Sequence, residues 1–297
     1  MEAIRIVAAA LFLAATVSSA SANATPIRTG QWVEANHVLL RTEISGKGDD
    51  VVVLIHDMGL NLECWDEILP GIQPGRRIVR YDLRGFGLSE KFRYPVSLDD
   101  HVEDLRGLLD NLGLKKPVIL VGESIGGTIA LKFAAEYPSR VKAVTAINAL
   151  VNLDHPLPPA NPNLKGGRDT AKLIETEGVR AYLKTDMDWL YPPQLRTPER
   201  VARYFGMEVA QDPTDRALAM RMKPLSIDLG TELPKIHAPT LIIAGMVNST
   251  YTAADWGTVT AAIPGAQLVM VQTAHLAAFE SPELVLPPLK KFLDAHR

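Results

Sequence analysis

The apolar run Pro117-Val118-Ile119-Leu120-Val121 is cut short by Gly122-Glu123-Ser124-Ile125-Gly126-Gly127. It then gives way to Thr128-Ile129-Ala130-Leu131-Lys132-Phe133-Ala134-Ala135. The first segment reads as a buried strand, and the last, with small and apolar residues at helical spacing, reads as a packed helix. Little chain remains between them in which to turn. Glycine is needed where a Cβ atom has no room, and Gly122 and Gly126 meet that need. Ser124 stands at the apex, where a strained backbone would project its Oγ outward. The plain alternative is a glycine-rich loop carrying an idle serine. The strand and helix on either side favour a nucleophile.

A serine hydroxyl is a weak nucleophile until a neighbouring base takes its proton. The chain has seven histidines: His37, His56, His101, His155, His237, His275 and His296. His37 and His296 look like surface residues, His237 precedes Pro239 in a linker, and His101 lies in a helical pattern. His275 differs. It follows the strand-like run 266–271 and precedes a terminal helix from about residue 282, in a loop that a sheet could hold rigidly. His275 is the expected base.

With these residues in place, the sequence from about residue 31 onward resembles the α/β-hydrolase superfamily. Leu54-Ile55-His56-Asp57-Met58-Gly59 is similar to the strand end that supplies half of that family's oxyanion hole. Arg80-Tyr81-Asp82-Leu83-Arg84-Gly85-Phe86-Gly87-Leu88-Ser89 resembles its Asp-x-Arg-Gly-x-Gly-x-Ser turn. Gly122 to Gly127 resembles the nucleophile elbow, Pro239 to Gly245 the strand that delivers the acid, and His275 to Pro282 the histidine loop. The resemblance implies a mostly parallel, doubly covered α/β sheet. It also implies an oxyanion hole made by the Met58 and Ile125 amides, and no metal or cofactor.

Two positions depart from the family pattern. Where the family places an aspartate three residues past the glycine of Ala244-Gly245, this chain has Asn248. An amide oxygen can orient an imidazole, but it cannot stabilise the imidazolium that forms on proton transfer. Asn248 is expected to orient His275. Asp154, just beyond the strand at 141–147, is the alternative acid, and Asp255 is a weaker one because it falls inside the following helix. The second departure is Asp57, in place of the usual glycine. A carboxylate there would oppose an oxyanion unless it turned away. The milder reading makes Asp57 the cap of a turn or of a helix near Asn61.

The 297 residues, 47% hydrophobic and 22% charged, suffice for one large core with an insertion. A formal net charge of −3 without a basic run argues against a nucleic-acid partner. Residues 1–24 read as a signal peptide. The apolar stretch at 6–17 is too short to span a bilayer and leads to Ala22-Asn23-Ala24, an A-x-A cleavage pattern. Export to a periplasm or medium, without stable membrane insertion, is the expectation. Cys64 is the sole cysteine, so no intramolecular disulfide can form.

The rest of the chain divides accordingly. Residues 31–45 alternate as two antiparallel edge strands, and 51–55, 78–81, 117–121, 141–147, 240–244 and 267–271 supply core strands. Helices fall at 98–112 and 128–137 between them. Residues 151–237 break the alternation with Pro156, Pro158, Pro159 and Pro162, followed by helical patterns at 169–191, 198–210 and 213–222. This stretch is expected to form a helical cap between core segments 25–150 and 238–297. Trp189, Tyr191, Tyr204, Phe205, Met207, Met220 and Met222 are there either as plain core or as the lining of an apolar pocket.

A secreted or periplasmic serine hydrolase acting on a small-molecule carboxylic ester or lactone fits these residues best. In this reading Ser124 attacks, His275 moves the proton, and Met58 and Ile125 hold the oxyanion. A C–C bond hydrolase and a cofactor-free perhydrolase remain open, as does a ligand-binding pseudo-hydrolase suggested by Asn248 and Asp57.

Overall fold

A computed structural model describes residues 30–92, 96–151, 170–222, 228–249 and 251–297. The expected signal peptide and Asp154 lie outside the described residues. Eight strands form one sheet in the order β1-β2-β4-β3-β5-β6-β7-β8. These are β1 (Gln31–Ala35), β2 (Val38–Gly46), β3 (Val51–Ile55), β4 (Arg77–Tyr81), β5 (Val118–Glu123), β6 (Val141–Ile147), β7 (Thr240–Gly245) and β8 (Gln267–Val271). Strand β2 runs antiparallel to β1 and to β4, and every other pairing is parallel. The mostly parallel α/β sheet expected from the sequence is the one present.

The helices follow the same logic. The short α1 (Leu69–Ile72), α2 (Leu98–Asn111) and α3 (Ile125–Glu136) lie between the early strands. Between β6 and β7 come α4 (Thr170–Glu177), α5 (Val179–Leu190), α6 (Pro198–Val209) and α7 (Pro213–Met222). The chain ends with α8 (Ala253–Ala261), α9 (Ala277–Glu280) and α10 (Pro282–Ala295). One helical pattern expected over 169–191 is two helices. Gly178 interrupts it at φ 84°, a left-handed conformation that a helix interior does not tolerate.

Strands β3, β5 and β7 are buried along their whole length, because helices cover both faces. Two apolar clusters result, one on each side of the sheet, with Phe133, Ile129 and Trp256 in one and Trp65, Phe279 and Phe292 in the other. The cap helices join the second cluster. Tyr191 and Tyr204 are fully buried and meet each other and Phe279 at ring centroids 6.2 to 6.5 Å apart. Met207 is buried in the same cluster, with Phe205 packed against it. These four residues act as core that seats the cap on the sheet. The side chains of Trp189, Met220 and Met222 lie outside the described residues.

Charged side chains fasten the same contact. Arg200 of α6 donates to the Glu280 carbonyl at 2.7 Å and to Glu67 at 2.8 Å, while Arg203 reaches Glu67 at 2.9 Å. Beneath the loops, Asp82 accepts from the backbone of Leu62 and of Leu88, each at 2.8 Å. The Asp82 to Ser89 turn thereby ties the end of β4 to the loop that follows β3. No described helix is long and apolar enough to cross a membrane.

Candidate active site

Strand β5 ends at Glu123, and α3 begins two residues later at Ile125. The whole reversal therefore falls on Ser124, at φ 52° and ψ −120°. This conformation is costly for a residue with a side chain, of order 1–3 kcal/mol, and persists only where the surroundings enforce it. Here the backbones do so. A Cβ on Gly122 would stand 2.1 Å from the Gly126 carbonyl oxygen, and one on Gly126 would stand 2.2 Å from that of Ile55. Strand, turn and helix pack too closely for any residue but glycine.

At this apex the Ser124 Oγ lies 2.9 Å from the His275 Nε2. The loop carrying His275 is held from three sides. Asn148, at the end of β6 with φ 46°, donates from Nδ2 to the carbonyls of Ala274 at 2.9 Å and His275 at 3.0 Å. Its Oδ1 accepts from Gly245 N at 2.7 Å. Glu280 of α9 accepts short hydrogen bonds from the Thr273 hydroxyl and the Ala274 amide. Glu123 accepts from the Ala278 amide at 2.8 Å. Three polar side chains thus set the height and tilt of the imidazole, an arrangement that pre-organises a proton acceptor.

Both glutamates are deep in the protein. Burial pushes the Glu123 carboxyl well above the usual range, against the opposing bond from Ala278. Burial likewise raises Glu280 to about 7, although the Thr273 and Ala274 bonds pull the other way. Between its unfolded value near 4.5 and about 7, Glu280 loses its proton more readily in the unfolded chain. Stability present below that window is therefore lost as pH rises through it, on the order of 3 kcal/mol. Glu280→Gln removes the titration. The melting temperature of the variant relative to the native protein should rise from pH 5 to pH 8, measured by calorimetry; a gap unchanged across that range would refute this.

Asn248 does not take the expected position against the imidazole. It is exposed at φ 51°, and its Nδ2 donates to the Asp188 carbonyl of α5 at 3.3 Å. Its hydrogen bonding does not include His275, although both line one small cleft with Asn148, Ser249, Tyr251 and Trp256. The left-handed backbone turns the amide toward the cap. Asp255 serves as a cap. Its Oδ2 accepts from Thr252 N at 2.8 Å, and its own amide donates to the Thr252 hydroxyl, closing a box at the start of α8.

Asp57 is the larger surprise. Its side chain does not cap the helical turn at Leu62–Trp65, whose N-cap is Asn61. Its Oδ1 accepts from Met58 N at 2.6 Å, and its Oδ2 lies 3.6 Å from His275 Nε2. Ile125, the other expected oxyanion donor, is the first residue of α3, where an amide has no intrahelical acceptor. His56 holds Asp57 in place. Its Nε2 accepts from Leu83 N at 2.8 Å, which leaves Nδ1 as the donor to the Asp57 carbonyl at 2.7 Å. Burial lowers the His56 pKa, so this ring is a neutral structural link between β3 and β4.

The family model described as alpha/beta hydrolase fold matches residues 50–282, from β3 through the histidine loop. The chain belongs to the alpha/beta hydrolase fold family. Among its relatives is 3-oxoadipate enol-lactonase 2 of Acinetobacter baylyi, 22% identical over 251 residues that cover 84% of this chain and 91% of the relative. Among solved structures, the enol-lactonase of Burkholderia xenovorans superimposes with a TM-score of 0.79 at 24% identity, covering 89% of this chain and all of the other. A thermophilic esterase from Thermogutta terrifontis gives 0.78 at 25% identity, covering 90% of this chain and 100% of its own.

The residues that aim the His275 imidazole are not among those the sequence motifs single out. Asn148 and Glu280 make no motif of their own. Their signals were a polar residue ending the apolar β6 and a carboxylate inside the buried segment 276–281. Glu123, between Gly122 and Ser124, carries no signal of its role in the sequence and is fully buried. Among the described residues, no group of three or more histidine, cysteine, aspartate or glutamate side chains could hold a metal ion.

Proposed function

We propose that this hydrolase cleaves carboxylic esters or lactones through an acyl-enzyme on Ser124. The observation that carries the reading is the 2.9 Å contact between Ser124 Oγ and His275 Nε2 at the strained strand–helix apex. His275 takes the serine proton as Oγ attacks the carbonyl carbon, then returns it to the leaving oxygen. Water, deprotonated by the same nitrogen, releases the acid and restores the serine. The Ile125 amide supplies one oxyanion donor, and the Met58 amide supplies the second once the Asp57 carboxylate leaves it. That similar proteins are an enol-lactonase and an esterase agrees with this substrate class.

For the carboxylate that stabilises the His275 imidazolium we propose Asp154 in preference to Asn248. Val151 is buried and bonded through both its backbone groups to the Tyr251 hydroxyl, at 2.9 and 2.6 Å, and Tyr251 lines the cleft beside His275. Asp154 follows Val151 by only three residues in the sequence. Initial rates on short- and long-chain p-nitrophenyl esters and on simple lactones test both proposals. Asp154→Asn should lower kcat on the order of 10³- to 10⁴-fold, while Asn248→Asp should change it less than about tenfold. A large gain from Asn248→Asp with little loss from Asp154→Asn would reverse the assignment. Absence of turnover on every ester and lactone would favour a ligand-binding role, for which the occupied Met58 amide is the supporting observation.

A further inference from the structure

One carboxylate covers two parts of the proposed machinery. The Asp57 side chain is 6% exposed, with Oδ1 on the Met58 amide at 2.6 Å and Oδ2 3.6 Å from the His275 nitrogen that faces Ser124. A neutral ester carbonyl competes poorly with a carboxylate for an amide N–H, because charged acceptors form hydrogen bonds roughly twice as strong. A negative charge at this point also opposes the oxyanion. Among the described residues, its charged surroundings include further carboxyls. Glu208 of the cap and Glu123 both feel the Asp57 charge, and Arg216, packed into this region, is engaged by Glu208 at 3.1 Å. An uncharged acyl group thus meets a site whose second oxyanion donor is already occupied.

We propose that Asp57 is a specificity-determining residue that selects acyl groups carrying an ammonium beside the scissile carbonyl, as in an α-amino acyl ester. This rests on the serine-hydrolase reading and narrows it. The ammonium draws the Asp57 carboxylate into an ion pair and off the Met58 amide. The freed N–H can then bind the carbonyl oxygen, and His275 Nε2 is left to Ser124. Substrate charge compensates the carboxylate while opening the oxyanion hole, so discrimination falls on the transition state as well as on binding.

Ethyl glycinate and ethyl propanoate are nearly isosteric and differ in an ammonium for a methyl, which makes them suitable probes. Acid release is followed at pH 6.5, below the ordinary α-amino pKa near 7.7. The native enzyme should favour ethyl glycinate, and Asp57→Asn should shrink the ratio of the two kcat/KM values by about 10- to 100-fold. Comparing the ratio between proteins cancels the intrinsic reactivity of the esters. Asp57→Gly, which uncovers Met58 completely, should raise propanoate turnover about tenfold or more. A ratio unchanged within twofold in both variants, with esters turned over and Ser124 still required, overturns the proposal and leaves the hydrolase reading standing. No turnover of either ester by any of the proteins, with no reaction at Ser124, overturns both.

Discussion

Ser124→Ala should reduce kcat on an accepted ester by about 10⁵-fold or more, and His275→Ala by a similar factor. The double variant should be hardly worse than either single one, because a nucleophile without its base and a base without its nucleophile are equally idle. In the proposed reaction the two side chains, 2.9 Å apart, act as one unit. Neither change should cost much stability. Losing the hydroxyl leaves the Cβ and the backbone of the apex as they are and removes no helix-cap bond, and the loop carrying His275 is anchored through its backbone by Asn148 and Glu280. Melting temperatures of the native and variant proteins, measured beside the kinetics, separate a lost reaction from a lost fold. Turnover within tenfold of native in Ser124→Ala would place the chemistry elsewhere.

The second large effect is structural. Gly126→Ala forces a methyl to within 2.2 Å of the Ile55 carbonyl, and Gly122→Ala forces one to within 2.1 Å of the Gly126 carbonyl. In both cases the obstacle is backbone inside the buried sheet–helix contact, where overpacking cannot be relieved by a rotamer change. Each should cost about 3 kcal/mol or more and lower the melting temperature by many degrees. Gly206→Ala provides the contrast. That glycine lies within α6 with nothing within 4 Å of the added methyl, so alanine should stabilise the helix by about 1 kcal/mol. Denaturant titration of the three variants tests the claim. Equal losses in all three would mean that crowding at the apex is not what fixes these glycines.

The apex was legible in the sequence because each of its determinants is local. An apolar run, two glycines and a helix-spaced run lie within about twenty residues, and packing converts that pattern into a strand–turn–helix unit. His275 was legible from its place after a strand, although nothing in the sequence measures its distance to Ser124. Legibility ended where a side chain's partner is set by tertiary contact. Asn248 occupies the expected sequence interval, yet its backbone at φ 51° directs the amide to Asp188 in the cap. Asn148 and Glu280 aim the imidazole from β6 and α9, about 130 residues apart in the chain, and no local pattern joins them. Asp57 was visible as an anomaly. That it lies on the Met58 amide depends on how β3 ends beside the histidine loop.

The central claim is that Ser124 is a nucleophile activated by His275. Its most direct test is covalent capture. The native protein, incubated with a fluorophosphonate and digested, should carry one phosphonyl adduct, and fragment masses should place it on Ser124. Adduct formation should vanish in Ser124→Ala and slow by orders of magnitude in His275→Ala. Equal modification of all three proteins, or an adduct mapped to another residue, would contradict the account.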